Sequence, residues 1–446
     1  MDGLYVGACR WLTLRTRADA LPAPMWFGLG VGCVALFFTA CSWISDPGMS
    51  GSERRPRERE TVAERPVDVP APVYTGTRMD GEPDMRVRIK DRAERVEVAG
   101  PRQAAVSVEM SGIAAINLPT PLVVTAADDA WVVRDGGGVM HQFPRVTHKP
   151  VDALAIDVPV GAAGAMFSVD AKVLPGVIRL SGRRDVSPSV FDVIEHVPLE
   201  SYLPGVIAKE LYKDWHFETF KAQAIAARSY ALQERGRRMA LGVAFDVEST
   251  EADQAYGGRT DHAIAHRAVK DTAGVVLTYQ NRFLRAYYCS TVGGRAANAR
   301  DTWPTGKGFE FNLDAPIQAS QRDDSDSASP LFRWTVARNR AELVKRIREY
   351  GRTANAAIRN MDSVAKIEVF ERNEFGRPRS FKLYQDDGRW YKLNAEEIRL
   401  ACNQTVKGLP AITREQRISS GDFEVRREST STGTVLVFEG RGFGHG

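Results

Sequence analysis

Between residues 85 and 135 the chain alternates apolar and polar positions in short runs. MRVRIKD (85–91), RVEVAG (95–100), AVSVEM (105–110), PLVVTA (121–126) and AWVVRD (130–135) each put an apolar side chain at every second position between turn-forming residues, the period of half-buried strands. The spacing then changes and predicts helices over Leu199–Asp214, Phe217–Gly236 and about Asp261–Thr272. The second of these carries Ala222, Ala224, Ala226 and Ala227, small enough for close helix packing. VVLTYQNRFLRAYYCS (275–290) reads as a hairpin turning at Gln280-Asn281-Arg282, followed by a polar loop over Gln318–Pro330 and a basic amphipathic helix from about Arg338 to Tyr350. Strands and helices are segregated, without βαβ alternation or an internal repeat. The expected class is α+β, with a strand-rich N-terminal lobe, a helical segment and a further mixed sheet and helix lobe.

The start of the chain has a different composition. A basic region, 1–24, with Arg10, Arg15 and Arg17, precedes an uncharged run from Met25 to Ile44, the layout of an export signal. That run has the roughly 20 residues that span a bilayer, so an uncleaved anchor and a buried core helix are the alternatives. Phe38-Thr39-Ala40-Cys41 resembles a bacterial lipoprotein cleavage box, which implies Cys41 as a lipidated first residue of the mature protein. Residues 45–84 contain SERRPRERETVAERPVDVPAPV, charged and rich in proline, and read as a solvated tether. The expectation is an exported protein, anchored or lipidated, facing the periplasm or cell wall. A net charge of +4 gives no reason to expect nucleic acid as a partner.

One acid stands out in the helical segment. Leu203, Val206, Ile207 and Glu210 follow the i, i+3, i+4, i+7 spacing of one helix stripe, so Glu210 falls on an apolar face. A carboxyl buried without a cation has a raised pKa and suits proton donation near neutral pH. The other reading is a structural ion pair with Lys209, Lys213 or Lys221.

LESYLPGVIAKE (199–210), followed by FKAQAIAARSYAL (220–232), resembles the signature of the stage II sporulation protein D and amidase enhancer LytB family. STEADQAYGG (249–258), the block at 268–294, NEFGRPRSFKLY (373–384), WYKLNAEEIRLACN (390–403) and GRGFGHG (440–446) resemble later elements of that family in order. The resemblance covers residues 85–446 as one domain. In the family the last motif continues into a Val-Gly-Met-Ser-Gln-like helix, so a truncation at Gly446 is expected. Sporulation members are peptidoglycan lytic transglycosylases, which implies cleavage of the MurNAc–GlcNAc bond of peptide-free glycan strands with Glu210 as the single acid and base. LytB-like members imply the alternative, a non-catalytic enhancer that binds a wall amidase or glycan.

Lys221, Gln223, Arg228 and Tyr230 belong to the motif beside Glu210 and are of types that hold a glycan by hydrogen bonds and stacking; helix capping and internal bonding are the competing reading. Asp253, Gln254 and Tyr256 are further substrate-binding candidates. Gly293 and Gly294 would let backbone approach a sugar, and His445 lies between glycines in the closing motif. The family's Tyr-His-Ser-Thr-Ser-Gly-Gly is Tyr288-Cys289-Ser290-Thr291-Val292-Gly293-Gly294 here. Some sporulation members bind zinc near this block through His and Cys. No Cys-x-x-Cys repeat accompanies Cys289, and His262 and His266 lack a third partner, so no metal or other cofactor is expected. Cys289 and Cys402 read either as a disulfide pair or as two buried small hydrophobes.

Overall fold

The computed structural model describes residues 82–109, 114–145, 152–159, 164–289, 291–319, 325–431 and 433–444. The expectations placed on Met25–Ile44, on Cys41, on the tether as far as Gly81 and on His445 lie outside the described residues.

The alternating runs form strands that precede the first helix. They are β1 (Asp84–Ala93), β2 (Arg95–Ala99), β3 (Gln103–Val108), β4 (Ile116–Pro119), β5 (Leu122–Ala126), β6 (Ala130–Arg134), β7 (Met140–Pro144), β8 (Ala153–Asp157), β9 (Phe167–Val169), β10 (Lys172–Leu174), β11 (Val177–Gly182) and β12 (Phe191–Pro198). With β13 (Val247–Glu248) they make a seven-stranded sheet, β13-β1-β12-β11-β8-β3-β4, and a six-stranded sheet, β10-β9-β2-β5-β6-β7. Pairing is antiparallel except that β13 runs parallel to β1, Val87 lying opposite Val247. The apolar half of each alternation, including Val87, Val106, Val124, Trp131, Ile178 and Leu180, is buried in one core.

Three helices close the same core: α1 (Leu199–Glu210), α2 (Phe217–Ala240) and α3 (Ala263–Asp271). Leu203, Val206 and Ile207 of α1, Phe220, Ala224 and Ala227 of α2, and Ala268 and Val269 of α3 belong to it. The bounds differ from the sequence expectation for local reasons. α1 ends at Glu210 rather than Asp214, because Leu211 turns extended (φ −119°, ψ 144°) and is buried. α2 runs past Gly236 to Ala240, its last turns tied by Arg237 and Arg238 to Glu234, three and four residues earlier, at 2.6 and 2.7 Å. α3 begins after His262, whose Nδ1 accepts the Ala265 N–H at 3.2 Å. The hairpin β14 (Thr278–Tyr279) and β15 (Arg282–Phe283) turns on Gln280 and Asn281, both at positive φ (49° and 63°), as a two-residue turn of matching twist requires.

The C-terminal part buries a second apolar cluster. After the short α4 (Ala299–Thr302), it contains β16 (Trp334–Asn339), α5 (Arg340–Thr353), β17 (Lys366–Arg372), β18 (Pro378–Tyr384), β19 (Trp390–Asn394), α6 (Ala395–Asn403), β20 (Phe423–Thr430) and β21 (Gly433–Gly440). Two three-stranded sheets, β16-β21-β20 and β17-β18-β19, pack with α5 and α6 around Leu343, Ile347, Phe381, Leu383, Ile398 and Phe438. The fold is α+β, with its elements segregated as the sequence pattern predicts, and among the described residues the buried apolar side chains form two clusters.

The segment after β13 reaches α1 through an approach that only glycine allows. The Gly257 N–H donates to the Gly205 carbonyl at 3.1 Å. A Cβ on Gly205 would lie 2.2 Å from the Gly258 carbonyl oxygen and 2.6 Å from the Tyr256 ring. Gly205→Ala is therefore expected to destabilise the protein by about 1–3 kcal/mol through overpacking, read as a lower urea midpoint at unchanged m-value.

Candidate active site around Glu210

Glu210 is the last residue of α1. Its stripe mates Leu203, Val206 and Ile207 are fully buried, whereas Glu210 is half-buried, so the stripe leaves the core at its final position. Among the described residues no cation pairs with it, which corrects the ion-pair reading. Lys221 bonds Glu218 at 2.9 Å, the Lys209 stem lies over Gly257, and Lys213 adds its charge beside His262. Burial, helped by the nearby charge of Glu251 and opposed by an N–H from Ala255, pushes the Glu210 carboxyl up to about 7. The C-terminal pole of α1 also disfavours a negative charge at this position.

A polar floor lies next to the acid. Tyr202 of α1 donates its hydroxyl to Gln254 Oε1 at 3.2 Å, and Gln254 Nε2 donates to the Ala227 carbonyl (3.2 Å) and to Tyr288 Oη (3.3 Å). Burial holds the hydroxyls of Tyr202 and Tyr288 well above the usual tyrosine range, and the charge of Glu210 contributes to both. Gln254 thus joins α1, α2 and the 285–289 segment beneath Glu210. Gln223, on the same α2 stripe one turn before Ala227, is 2% exposed and its amide nitrogen has no hydrogen-bond partner. It keeps donor capacity for an enclosed water.

Other candidates are committed elsewhere. Arg228 is fully buried, holding Glu200 through two bonds (2.9 and 2.7 Å) and donating to the carbonyls of Val275 (3.1 Å) and Val269 (3.3 Å). It clamps the helices together, and its ligand role is corrected to a structural one. Tyr230 is buried between Arg285 (2.8 Å) and Asp253 (3.3 Å), and Asp253 also binds Arg238 at 2.9 Å and the Glu248 N–H at 2.8 Å. Both belong to this internal network rather than to an open cleft. Tyr256 is buried against the Tyr202 ring, centroids 4.8 Å apart, so it supports the floor from beneath. Lys221 lies beside Phe217, its ammonium 5.7 Å from the ring, in addition to its Glu218 pair.

The close approach expected at Gly293 and Gly294 is made by the chain itself. Both have positive φ (75° and 85°), the Gly293 N–H donates to Asp326 Oδ2 at 2.9 Å, and a Cβ there would meet the Gly442 nitrogen at 2.5 Å. The glycine block packs against the closing glycine motif at Arg441 and Gly442, where a sugar was expected. His262 caps α3 and His266 Nε2 lies 2.8 Å from the Thr260 carbonyl, so the two histidines are occupied locally. Cys289 and Cys402 are not joined by a disulfide, and Cys402 is fully buried. Among the described residues no cluster of three His, Cys, Asp or Glu side chains is arranged to hold a metal, and the zinc of some sporulation members has no donor set in them.

Two groups beside the acid were not singled out by sequence reasoning. Glu251 is exposed and adds its charge to Glu210. Tyr212, two residues past Glu210, is 46% exposed, and its ring packs 5.7 Å from that of Trp215 across a turn closed by the Trp215 N–H to the Tyr212 carbonyl. An exposed aromatic within two residues of the acid is the signal that marks this pair, because such a ring can stack on a sugar.

The electrostatics give two expectations. Glu251→Gln removes a like charge and lowers the Glu210 pKa, which a 13C NMR titration of the carboxyl would report as a midpoint moved toward acid. The second concerns stability. Glu210 has a folded pKa of about 7 against an ordinary value of 4.5, so the native state binds more protons between those values and loses stability as pH rises through that window. Glu210→Gln lacks this loss, so its stability relative to the parent should increase from pH 4.5 to 7 and level off above, measured by urea unfolding across pH.

Comparison with known proteins agrees with this geometry. Residues 188–279, which hold β12, α1, α2, α3 and the floor loop, match the family described as Stage II sporulation protein, and residues 310–446 match a domain of unknown function. The chain is 30% identical over 141 residues to the Amidase enhancer of Bacillus subtilis, which is 32% of this chain and 17% of that protein. It is 25% identical over 272 residues to Stage II sporulation protein D of Bacillus amyloliquefaciens, 57% of this chain and 66% of that one. An uncharacterized protein of Brachyspira hyodysenteriae is 30% identical over 112 residues, 30% of its length. The chain therefore spans less than a third of the Amidase enhancer and of the Brachyspira protein, and about two thirds of the sporulation protein. Glu210, the Gln254 floor and the helices that carry them all lie inside the segment that matches the Stage II sporulation protein family, and the similarity to Stage II sporulation protein D and to the Amidase enhancer supports a place for the chain in that family.

Proposed function

We propose that this protein acts on the bacterial cell wall as a peptidoglycan lytic transglycosylase, cleaving between MurNAc and GlcNAc in peptide-free glycan strands. The observation that carries this reading is Glu210, half-buried, without a cation partner among the described residues, and with its carboxyl at about 7. Ordinary glycoside hydrolysis uses two carboxyl groups flanking the bond. A single carboxyl suffices when the substrate supplies the nucleophile. Protonated Glu210 gives its proton to the glycosidic oxygen as the C1–O bond breaks. The resulting carboxylate takes the proton of the muramyl 6-hydroxyl, and O6 bonds to C1. The acid is regenerated, no water is consumed, and the product is a 1,6-anhydro-muramyl end. A pKa near the working pH serves both transfers, while the Tyr212–Trp215 pair is available to hold the glycan.

A second reading, an enhancer that binds glycan or a wall amidase without cutting, is favoured by the Amidase enhancer name of one relative and by Cys289 at the family's histidine position. The proposal includes export, with attachment through the N-terminal apolar run or lipidated Cys41. Among the described residues no helix is long and apolar enough to cross a membrane.

The test is mass spectrometry of peptide-free glycan strands after incubation with the protein or its Glu210→Gln variant. Anhydro-muramyl ends are expected with the parent alone, with the rate falling as pH rises above about 7 because the donor proton is lost. Product from the variant would sink the assignment, and no product from either folded protein would favour the enhancer reading.

A further inference from the structure

The solvent face of the β17-β18-β19 sheet carries an unusual set of side chains. Its opposite face buries Ile367, Phe381, Leu383 and Leu393 in the second core. Cross-strand register puts Tyr384 opposite Lys366 and Trp390 in one outward row, and Lys382 opposite Glu368 and Lys392 in the next. A bulge after Val369 turns Phe370 outward beside them. Phe370 is 45% and Trp390 49% exposed, and no described element covers them.

The charges on this face are arranged around the two rings. Lys366 pairs with Glu368, and Lys392 with Glu371 at 2.9 Å. Lys382 has no carboxylate among the described residues. Its ammonium faces both rings, 4.0 Å from the Phe370 centroid and 4.4 Å from that of Trp390. The face therefore presents one unmatched cation between two half-exposed aromatic surfaces. The rings hold the ammonium without neutralising its charge, which stays available to a carboxylate.

We propose that this face is a docking platform for a peptide-free peptidoglycan glycan strand, distinct from the Glu210 site. The complement of a single cation flanked by two rings is a chain in which acidic and neutral sugars alternate. Each neutral sugar lays an apolar face on a ring, and a muramyl lactyl carboxylate takes the Lys382 ammonium. Glu371, exposed at the adjoining row, offers a carboxylate oxygen to sugar hydroxyls. The choice of occupant rests on the wall-glycan reading of Glu210, whereas the recognition chemistry comes from this sheet alone.

The full chain carrying Glu210→Gln, which leaves strands intact, is sedimented with insoluble peptidoglycan freed of stem peptides. Phe370→Ala/Trp390→Ala and Lys382→Glu are each expected to weaken binding about tenfold, Lys382→Arg to keep it, and amidation of the glycan carboxylates to weaken it as the Lys382→Glu change does. Melting temperatures check that the variants fold, and if the double variant does not, Lys382→Glu and the amidated glycan decide. Unchanged binding in Lys382→Glu, or equal binding to amidated glycan, overturns the proposal. Cleavage of a short soluble glycan by the chain with Glu210 restored, with and without Lys382→Glu, reads the catalytic proposal separately. Lost cleavage with intact binding would remove only the transglycosylase reading.

Discussion

The backbone bond from Gly257 to Gly205 holds the candidate site together. It brings the loop after β13 onto α1 at van der Waals limits, where a single methyl on Gly205 would clash with the Gly258 carbonyl. From that contact follow the positions of Gln254 under Tyr202, of Ala255 beside the Glu210 carboxyl, and of Glu251 close enough to raise it. The acid at the end of α1 owes its surroundings to a loop more than 40 residues away in the chain.

Charge is distributed to opposite effect in two neighbouring places. Within the helical layer, Arg228, Arg238 and Arg285 are matched by Glu200, Asp253 and Glu234, and these buried or half-buried pairs fix how α1, α2 and the 285–289 segment pack. Removing one partner of such a pair leaves a charge buried without compensation, which costs far more than the pair contributes when intact. At Glu210 no compensating cation stands among the described residues, and the carboxyl responds by holding its proton to higher pH. The contrast separates residues that organise the layer from one suited to exchange a proton.

The same principle recurs at the far end of the chain on a smaller scale. On the outer face of β17-β18-β19, two glutamates are matched by two lysines and Lys382 is left between rings. A sheet whose inner face is fully apolar could remain soluble with any polar outer face. Half-exposed Phe370 and Trp390 are not needed for that, and they give the face a chemistry beyond solubility.

The period-2 runs from Met85 to Asp135 were sufficient to foretell strands, and Asn281 in a two-residue turn to foretell the hairpin, because both depend on neighbours along the chain. Glu210 on an apolar stripe was legible for the same reason, and so was the motif order that carries the family. Whether Glu210 had a counter-ion was not legible. Nor was the inward turn of Arg228 and Tyr230, whose partners Glu200 and Arg285 lie 28 and 55 residues away. Hydrogen bonds and ion pairs between remote segments exist only once the sheets and helices are stacked. The tertiary structure therefore decided which polar residues of the motif are consumed by packing and which remain for a ligand.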